Sequence, residues 1–341
     1  MKQVTLGSTG ITVPQNAFGA LPIQRISSEA AVALARRAYA GGMRFFDTAH
    51  NYTDSEEKLG LAFGDNWEGK ILATKTDAVT PEQFWEDLQI SLRRLNREYI
   101  DIYQFHFASR CFRPGDGTGM YECMLEAKAQ GKIRHIGITT HLMSVAEEAI
   151  ASGLYETLQF PFCYLSVTRE LELAAKCKAA NMGLIAMKGL AGGLITNARA
   201  ASAFISQFDN VVPIWGIQRE SELDEWLALF DEPAEMTPEI AAFIEAEQKE
   251  LIGDFCRGCG YCMPCPAGIM INQCARISQM VRRAPSESWL APDMQAEMEK
   301  IKTCLHCNRC KSRCPYELDV PNLLLKNLED YRLILEGKRK I

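Results

Sequence analysis

No apolar run in this chain approaches the length a helix needs to cross a bilayer, so no membrane span is expected. The opening Met1-Lys-Gln-Val-Thr-Leu-Gly7 alternates polar and apolar residues and lacks the apolar core of a secretory leader. Compositional disorder is absent too: 47% of the 341 residues are apolar, enough for a sizeable core. No GxGxxG turn follows the first predicted strand, which argues against an open, doubly wound dinucleotide-binding sheet. Without an export signal, thirteen cysteines point to metal ligation in a reducing, cytoplasmic setting rather than to disulfides. Five of them (Cys111, Cys123, Cys163, Cys177 and Cys274) read as small buried hydrophobes.

The other eight stand in two runs. One is Cys256-Arg-Gly-Cys259-Gly-Tyr-Cys262-Met-Pro-Cys265-Pro266 and the other is Cys304-Leu-His-Cys307-Asn-Arg-Cys310-Lys-Ser-Arg-Cys314-Pro315. Three cysteines spaced by two residues, then a fourth before proline, is the ligand pattern of a four-iron cluster. Two runs predict two 4Fe-4S clusters and single-electron chemistry. The alternative is zinc, which is usually held by two separated CxxC pairs and has no use for the third and fourth thiol of each run. The second run matches bacterial ferredoxin spacing, and the first is one residue shorter before its fourth cysteine. In the two-cluster ferredoxins that these runs resemble, the fourth cysteine serves the other cluster. That resemblance implies one cluster on Cys256, Cys259, Cys262 and Cys314, and the other on Cys304, Cys307, Cys310 and Cys265.

Charge is divided to match. From Asp254 onward there are 14 Lys and Arg against 10 Asp and Glu, and before it 23 against 33. Arg276, Arg282, Arg283, Arg309, Lys311 and Arg313 read as cations offsetting clustered thiolate and sulfide charge rather than as a nucleic-acid surface.

Ahead of the runs, short apolar stretches alternate with helical patterns. Strands are expected at residues 16–20, 43–46, 70–74, 99–105, 132–138, 157–160, 182–187 and 210–215, with helices at 30–40, 82–95, 122–129, 145–151 and 169–180 among those between them. Eight such units favour a closed (β/α)8 barrel of the TIM type. A hinge with two prolines (233–238) leads into a helix at 237–251. Further helices are expected at 273–283 and 293–303, separated by Ala-Pro-Ser-Glu-Ser, and at 322–335. The expected organisation is therefore an α/β barrel over 1–232, a linker helix over 233–253 and a small, mainly α-helical, ferredoxin-like dicluster domain over 254–341.

Active sites of such barrels lie at the C-terminal ends of the strands. Phe45-Phe-Asp-Thr-Ala-His-Asn-Tyr52 places an acid and a phenol after one strand, Ile71-Leu-Ala-Thr-Lys75 a lysine on the next, and Ile102-Tyr-Gln-Phe-His106 a histidine after the third. These residues and their order resemble the aldo-keto reductase superfamily, whose tetrad is Asp, Tyr, Lys and His. Leu6-Gly-Ser-Thr-Gly-Ile-Thr-Val13 resembles that family's N-terminal hairpin, and Gly131-Lys-Ile-Arg-His-Ile-Gly-Ile138 its approach to the fifth strand. The resemblance covers about residues 4–230. It implies that Tyr52 exchanges a proton with a carbonyl oxygen while nicotinamide supplies hydride, that Lys75 favours the phenolate, that Asp47 holds Lys75, and that His106 positions the carbonyl. His50 and His141 are neighbours read as substrate-facing or merely exposed.

The cofactor pocket departs from the family. Thr139-Thr140-His141 stands where Ser-Asn commonly holds the nicotinamide amide; Gln159 matches the family's glutamine; Met187 stands near the usual stacking tyrosine, with Lys188 beside it facing a phosphate. Gly216 and Arg219 keep one glycine and one cation after strand eight, but Glu220, Glu222 and Glu225 follow where an adenosine 2′-phosphate needs positive charge. NAD(P)(H) is the implied cofactor, NADH slightly favoured, with a flavin left open. The expected function is an iron-sulfur oxidoreductase acting on a small carbonyl or alcohol, with a ferredoxin or flavoprotein as electron partner. Its alternative is a ferredoxin-like carrier or redox-regulatory protein with the barrel kept as a scaffold.

Overall fold

The computed structural model describes residues 1–251, 255–283 and 286–340. A two-stranded antiparallel hairpin opens the chain, β1 (Gln3–Thr5) and β2 (Thr12–Pro14). Eight parallel strands then close into a barrel: β3 (Ala17–Gly19), β4 (Phe45–Asp47), β5 (Ile71–Thr76), β6 (Ile100–Phe105), β7 (Ile133–Thr139), β8 (Thr157–Pro161), β9 (Gly183–Met187) and β10 (Val211–Gly216), with β10 paired back to β3. Each predicted strand is present, offset by a residue or two. All six residues of β6 are buried, as a parallel strand covered on both faces requires.

Helices separate the strands: α1 (Ser28–Ala40), α2 (Ser55–Phe63), α3 (Pro81–Arg94), α4 (Met120–Ala129), α5 (Met143–Ser152), α6 (Thr168–Ala179), α7 (Ala198–Ser206) and α8 (Glu220–Asp231). Helix α3 shows how the sequence writes one. Thr80 caps it by accepting the Gln83 N–H, and Pro81 sits in the first turn, where its missing N–H costs nothing. Phe84 and Leu88, four residues apart, are fully buried, each contributing roughly 1.5–3 kcal/mol by removal from water. Gly60 of α2 is fixed by close approach, because an added Cβ would lie 2.0 Å from the Arg94 carbonyl oxygen at the end of α3. Val4, Leu6 and Val13 of the hairpin pack with Ile102, Ile185 and Val212, so the hairpin closes the N-terminal end of the barrel.

The chain divides into two compact units, Met1–Gly189 with Ala198–Ile240, and Leu190–Asn197 with Ala241–Ile341. Helix α9 (Pro238–Leu251) begins at the end of the first unit and runs into the second, where α10 (Ile271–Cys274), α11 (Ile277–Arg283), α12 (Ser286–Trp289), α13 (Pro292–Glu299), α14 (Arg309–Ser312) and α15 (Val320–Leu335) follow. The helix expected at 273–283 is broken at Ala275–Arg276, and the one at 293–303 ends in a 3-10 turn at Lys300–Thr303. Where Ala-Pro-Ser-Glu-Ser suggested a separator, α12 begins at Ser286, while residues 284–285 lie outside the described set. Leu323, Leu324, Leu328, Tyr331 and Ile334 of α15 are buried against Ile271, Ile277, Val281 and Met298, with Asp330 accepting two hydrogen bonds from Arg282 at 2.7 and 3.0 Å. Among the described residues no helix is long and apolar enough to cross a membrane.

Candidate active site and cysteine clusters

The barrel site is assembled by strand register. Asp47 ends β4 opposite Gly19 and Ala73, Lys75 lies on β5 opposite Gln104, and His106 follows β6 with its N–H bonded to the Thr76 carbonyl at 2.7 Å. Tyr52 stands on the turn after β4, whose backbone closes through Tyr52 N–H to Ala49 at 3.1 Å. Lys75 Nζ donates to Asp47 Oδ1 at 2.7 Å and to the Thr48 carbonyl. That ammonium lies 5.2 Å from the Tyr52 ring centre, and the Tyr52 and His106 rings are 5.6 Å apart, edge to face. The four tetrad positions thus share one locus on the barrel rim.

Their protonation follows from burial. Asp47 and Lys75 are 2% and 1% exposed, and loss of water pushes the carboxyl up and the ammonium down, each opposed by the other's charge. Burial pushes the His106 imidazole well below its ordinary value, with Lys75 and His141 adding to the effect, so the ring is neutral at pH 7. Tyr52 differs from the sequence expectation. Burial, then the Asp47 charge, pushes its phenol up rather than down. The physical reason is that loss of water around the buried phenol, reinforced by the Asp47 charge, outweighs the pull of the Lys75 ammonium. Neither neighbouring histidine is an exposed one. His50 Nε2 sits 3.3 Å from Asp87, and His141 is buried and stacked 5.9 Å from Phe107.

One participant escaped sequence reasoning. Glu56 of α2 is buried, accepts a 2.6 Å hydrogen bond from Thr74, lies 3.7 Å from Arg94, and supports the Lys75 charge. A glutamate in the first turn of a helix ordinarily reads as a solvated N-terminal charge, so only the turn that buries α2 reveals it.

The expected cofactor positions fall at the ends of the later strands. Thr139 and Gln159 are direct register partners across β7 and β8. Thr139 Oγ1 accepts the Phe107 N–H at 3.1 Å, and Gln159 accepts from Gln104 at 2.9 Å and helps hold Asp47 ionised. A hydroxyl beside a carboxamide suits a nicotinamide amide, so the donor set fits that group. Thr140 is otherwise engaged, donating to the Ala108 carbonyl at 2.8 Å and accepting from Leu142 N–H. Met187 ends β9, and Lys188 follows it in a left-handed conformation at φ 55°. Gly216 ends β10, where a Cβ would come within 3.0 Å of Pro22. Arg219 precedes α8 and is held by Glu222, its Nε 2.9 Å from the carboxylate.

The two cysteine runs share one backbone. Gly258 and His306, two residues past the first cysteine of each run, have φ 63° and 50° and donate N–H to the Cys256 and Cys304 sulfurs at 3.3 and 3.4 Å. Gly260 and Asn308 repeat the match at φ 87° and 57°, as do Gly268 and Glu317 after the fourth cysteines at 70° and 56°. Among the described residues no three His, Cys, Asp or Glu side chains are placed to hold a single metal ion. Instead one cavity is lined by five thiols of both runs, Cys262, Cys265, Cys304, Cys307 and Cys310. Burial raises the Cys256 thiol, with the Cys259 and Cys314 charges adding; it raises Cys262 to about 12, with Cys256, Cys259 and Cys310 adding; and it raises Cys310, with Cys304 and Cys307 adding. Thiols of the two runs thus act on one another, Cys256 with Cys314 and Cys262 with Cys310, as runs folded against each other must. Their mutual repulsion calls for a strongly positive centre, which a cubane of iron supplies, so the donor set fits two clusters. Beside Cys256 lies Arg276, whose Nη2 donates to the Gly192 carbonyl at 2.6 Å and whose buried Nε has no hydrogen-bond partner among the described residues.

The aldo/keto reductase family pattern matches residues 15–213. This chain belongs to the aldo/keto reductase family. A 4Fe-4S dicluster domain pattern matches residues 255–319. Among similar proteins are L-galactose dehydrogenase of Arabidopsis thaliana, 28% identical over 56% of this chain and 66% of its own length, and NADH-specific methylglyoxal reductase of Escherichia coli, 27% identical over 58% and 69%. Methylglyoxal reductase DkgB of Salmonella typhi is 32% identical over 42% and 53%. The chain thus spans between half and about two thirds of these relatives' lengths. The fold is shared with the aldo-keto reductase AKR11C1 from Bacillus halodurans (TM-score 0.63, 20% identity, 72% of this chain and 96% of that one) and an aldo-keto reductase from Klebsiella pneumoniae in complex with NADPH (TM-score 0.62, 21% identity, 72% and 95%).

Proposed function

We propose that this aldo/keto reductase family member interconverts a small carbonyl compound and its alcohol at the barrel rim with NAD(P)(H), and exchanges single electrons through two 4Fe-4S clusters. The observation that carries the reading is the meeting of Tyr52, His106 and the buried Lys75–Asp47 pair within hydrogen-bonding and ring-contact distances. Nicotinamide, when bound, supplies hydride, and the clusters, when assembled, hold single electrons. Tyr52, kept protonated by its surroundings, hands its phenolic proton to the carbonyl oxygen as negative charge develops there. His106, neutral at pH 7, orients that oxygen. Lys75 lies over the phenol and stabilises the phenolate left behind, while Asp47 and the Thr48 carbonyl fix the ammonium. Thr139 and Gln159 would hold the nicotinamide carboxamide.

Glu222 neutralises Arg219, and Glu220 and Glu225 flank it, which favours NADH over a cofactor with a further phosphate. The names of the relatives, methylglyoxal reductases and a sugar dehydrogenase, favour a small polar substrate. Hydride carries two electrons and a cluster takes one, so coupling the two would need a two-to-one electron converter of the flavin class. The experiment is carbonyl-dependent NADH and NADPH oxidation by the anaerobically purified full chain and by Tyr52→Phe. The reading expects Y52F to lose the activity while keeping its iron. Equal activity of the two proteins, or none with any small aldehyde, ketone or alcohol, favours the barrel as a scaffold beside an electron carrier.

A further inference from the structure

Lys300 to Cys314 contains five Lys and Arg and no carboxylate, and it supplies Cys304, Cys307 and Cys310, three of the four thiols implied for the second foursome. Three of those cations are already neutralised: Lys300 by Glu297, Lys302 by Glu299 at 2.5 Å and Lys311 by Asp319 at 3.3 Å. Arg309 and Arg313 are exposed and form no ion pair among the described residues. Between the cysteines the loop is open to solvent: residues 305–309 are all exposed, Leu305 reaches 66%, and Cys307 is the only exposed thiol among the described residues. The matching loop of the first run is no more than half exposed from Cys256 to Cys262, and Cys262 is buried.

This asymmetry makes the second foursome the outer one. We propose that the loop around Leu305, Cys307, Arg309 and Arg313 is the docking surface for an acidic single-electron carrier protein. It rests on the reading that the eight thiols hold clusters that exchange electrons. An exposed ligand sulfur offers a short path off the protein. The two unpaired guanidinium groups steer a negatively charged partner, an effect worth 10- to 1,000-fold in association rate at low salt. Leu305 supplies an apolar centre of the modest size that weak redox encounters use. Each encounter moves one electron: the carrier's reduced centre is oxidised by one and the second cluster reduced by one, with no bond made or broken.

The test is stopped-flow reduction of the anaerobic full chain by a reduced flavodoxin of net negative charge, at rising ionic strength. Photoreduced deazaflavin, a small reductant that needs no docking, serves as the control. The expected result is a wild-type rate that falls steeply with salt and drops more than tenfold in Arg309→Glu/Arg313→Glu, while the deazaflavin rate is unchanged. Leu305→Ser should slow flavodoxin and leave the salt slope intact. A flavodoxin rate indifferent to salt and to all three substitutions overturns the docking surface. So does an equal slowing with deazaflavin, which would mean the arginines act through the cluster. Protection of the loop by duplex DNA at the salt where flavodoxin does not compete also overturns it, in favour of nucleic acid. Failure of both reductants to bleach the protein strikes the cluster reading itself.

Discussion

Replacing Asp47 with Asn leaves the Lys75 ammonium, 1% exposed, with the Thr48 carbonyl and without its counter-ion at 2.7 Å. Breaking a buried ion pair by removing one partner costs about 3–5 kcal/mol. For a barrel of this size each kcal/mol moves the unfolding midpoint by about 2–4 °C, so roughly 6–20 °C should be lost at pH 7. The loss carries a pH signature. Without Asp47, burial depresses the Lys75 pKa further, so the folded variant binds fewer protons than the unfolded chain, whose lysines titrate near 10.4. Stability of D47N therefore rises with pH from the depressed folded pKa up to that unfolded value, and the wild type, whose Lys75 is depressed less because Asp47 opposes the burial, shows a smaller rise over a narrower window. Carbonyl reduction should fall by about 100- to 10,000-fold, the range for a lost proton-transfer partner, and recover partly as pH is lowered and Lys75 regains its proton. The assay is thermal unfolding and kcat/KM of both proteins from pH 6 to pH 10. A D47N midpoint within a degree or two of wild type at pH 6, with no narrowing gap between the two curves as pH rises because none opened, refutes the buried pair as the organiser of this site.

Other outcomes are expected from the same geometry. Tyr52→Phe should lower kcat/KM for carbonyl reduction by about 100- to 10,000-fold with iron content unchanged, checked by steady-state kinetics and metal analysis. Because burial holds the His106 imidazole well below its ordinary range, the wild-type pH–rate profile should show no histidine inflection between pH 6 and pH 7.5. Gly60→Ala, whose Cβ meets the Arg94 carbonyl oxygen at 2.0 Å, should destabilise the barrel by about 1–3 kcal/mol, read by urea unfolding of the full chain. Arg276→Gln removes a cation beside Cys256 that favours the more negative, reduced cluster; an EPR-monitored redox titration should show one cluster lowered by ~59 mV, a tenfold change in its reduced-to-oxidised ratio, and the other unmoved.

The barrel was legible because parallel strands buried on both faces must be apolar runs, and eight of them punctuate helical stretches. Asp47, Lys75 and His106 were legible because they follow those runs, and rim position is a matter of counting. The two cysteine runs were legible from spacing, and the matched left-handed residues Gly258 and His306 show why the spacing recurs: each frees an N–H for the first sulfur. Other features depend on three-dimensional burial that no local pattern encodes. Glu56 looks solvated in sequence and is covered only when α2 packs over β5 and α3. The direction of the Tyr52 shift turns on burial of the phenol beside the Asp47 charge, which sequence order cannot supply. Thr140 reads as a cofactor ligand until its hydroxyl is seen bridging Ala108 and Leu142.

The account depends most on two crossed sets of four thiolates, each gripping a cubane, in the same chain as the reductase barrel. Iron and acid-labile sulfide measured per chain in anaerobically purified protein test this most directly. The account predicts about eight of each. One or two zinc ions per chain with no labile sulfide would contradict it.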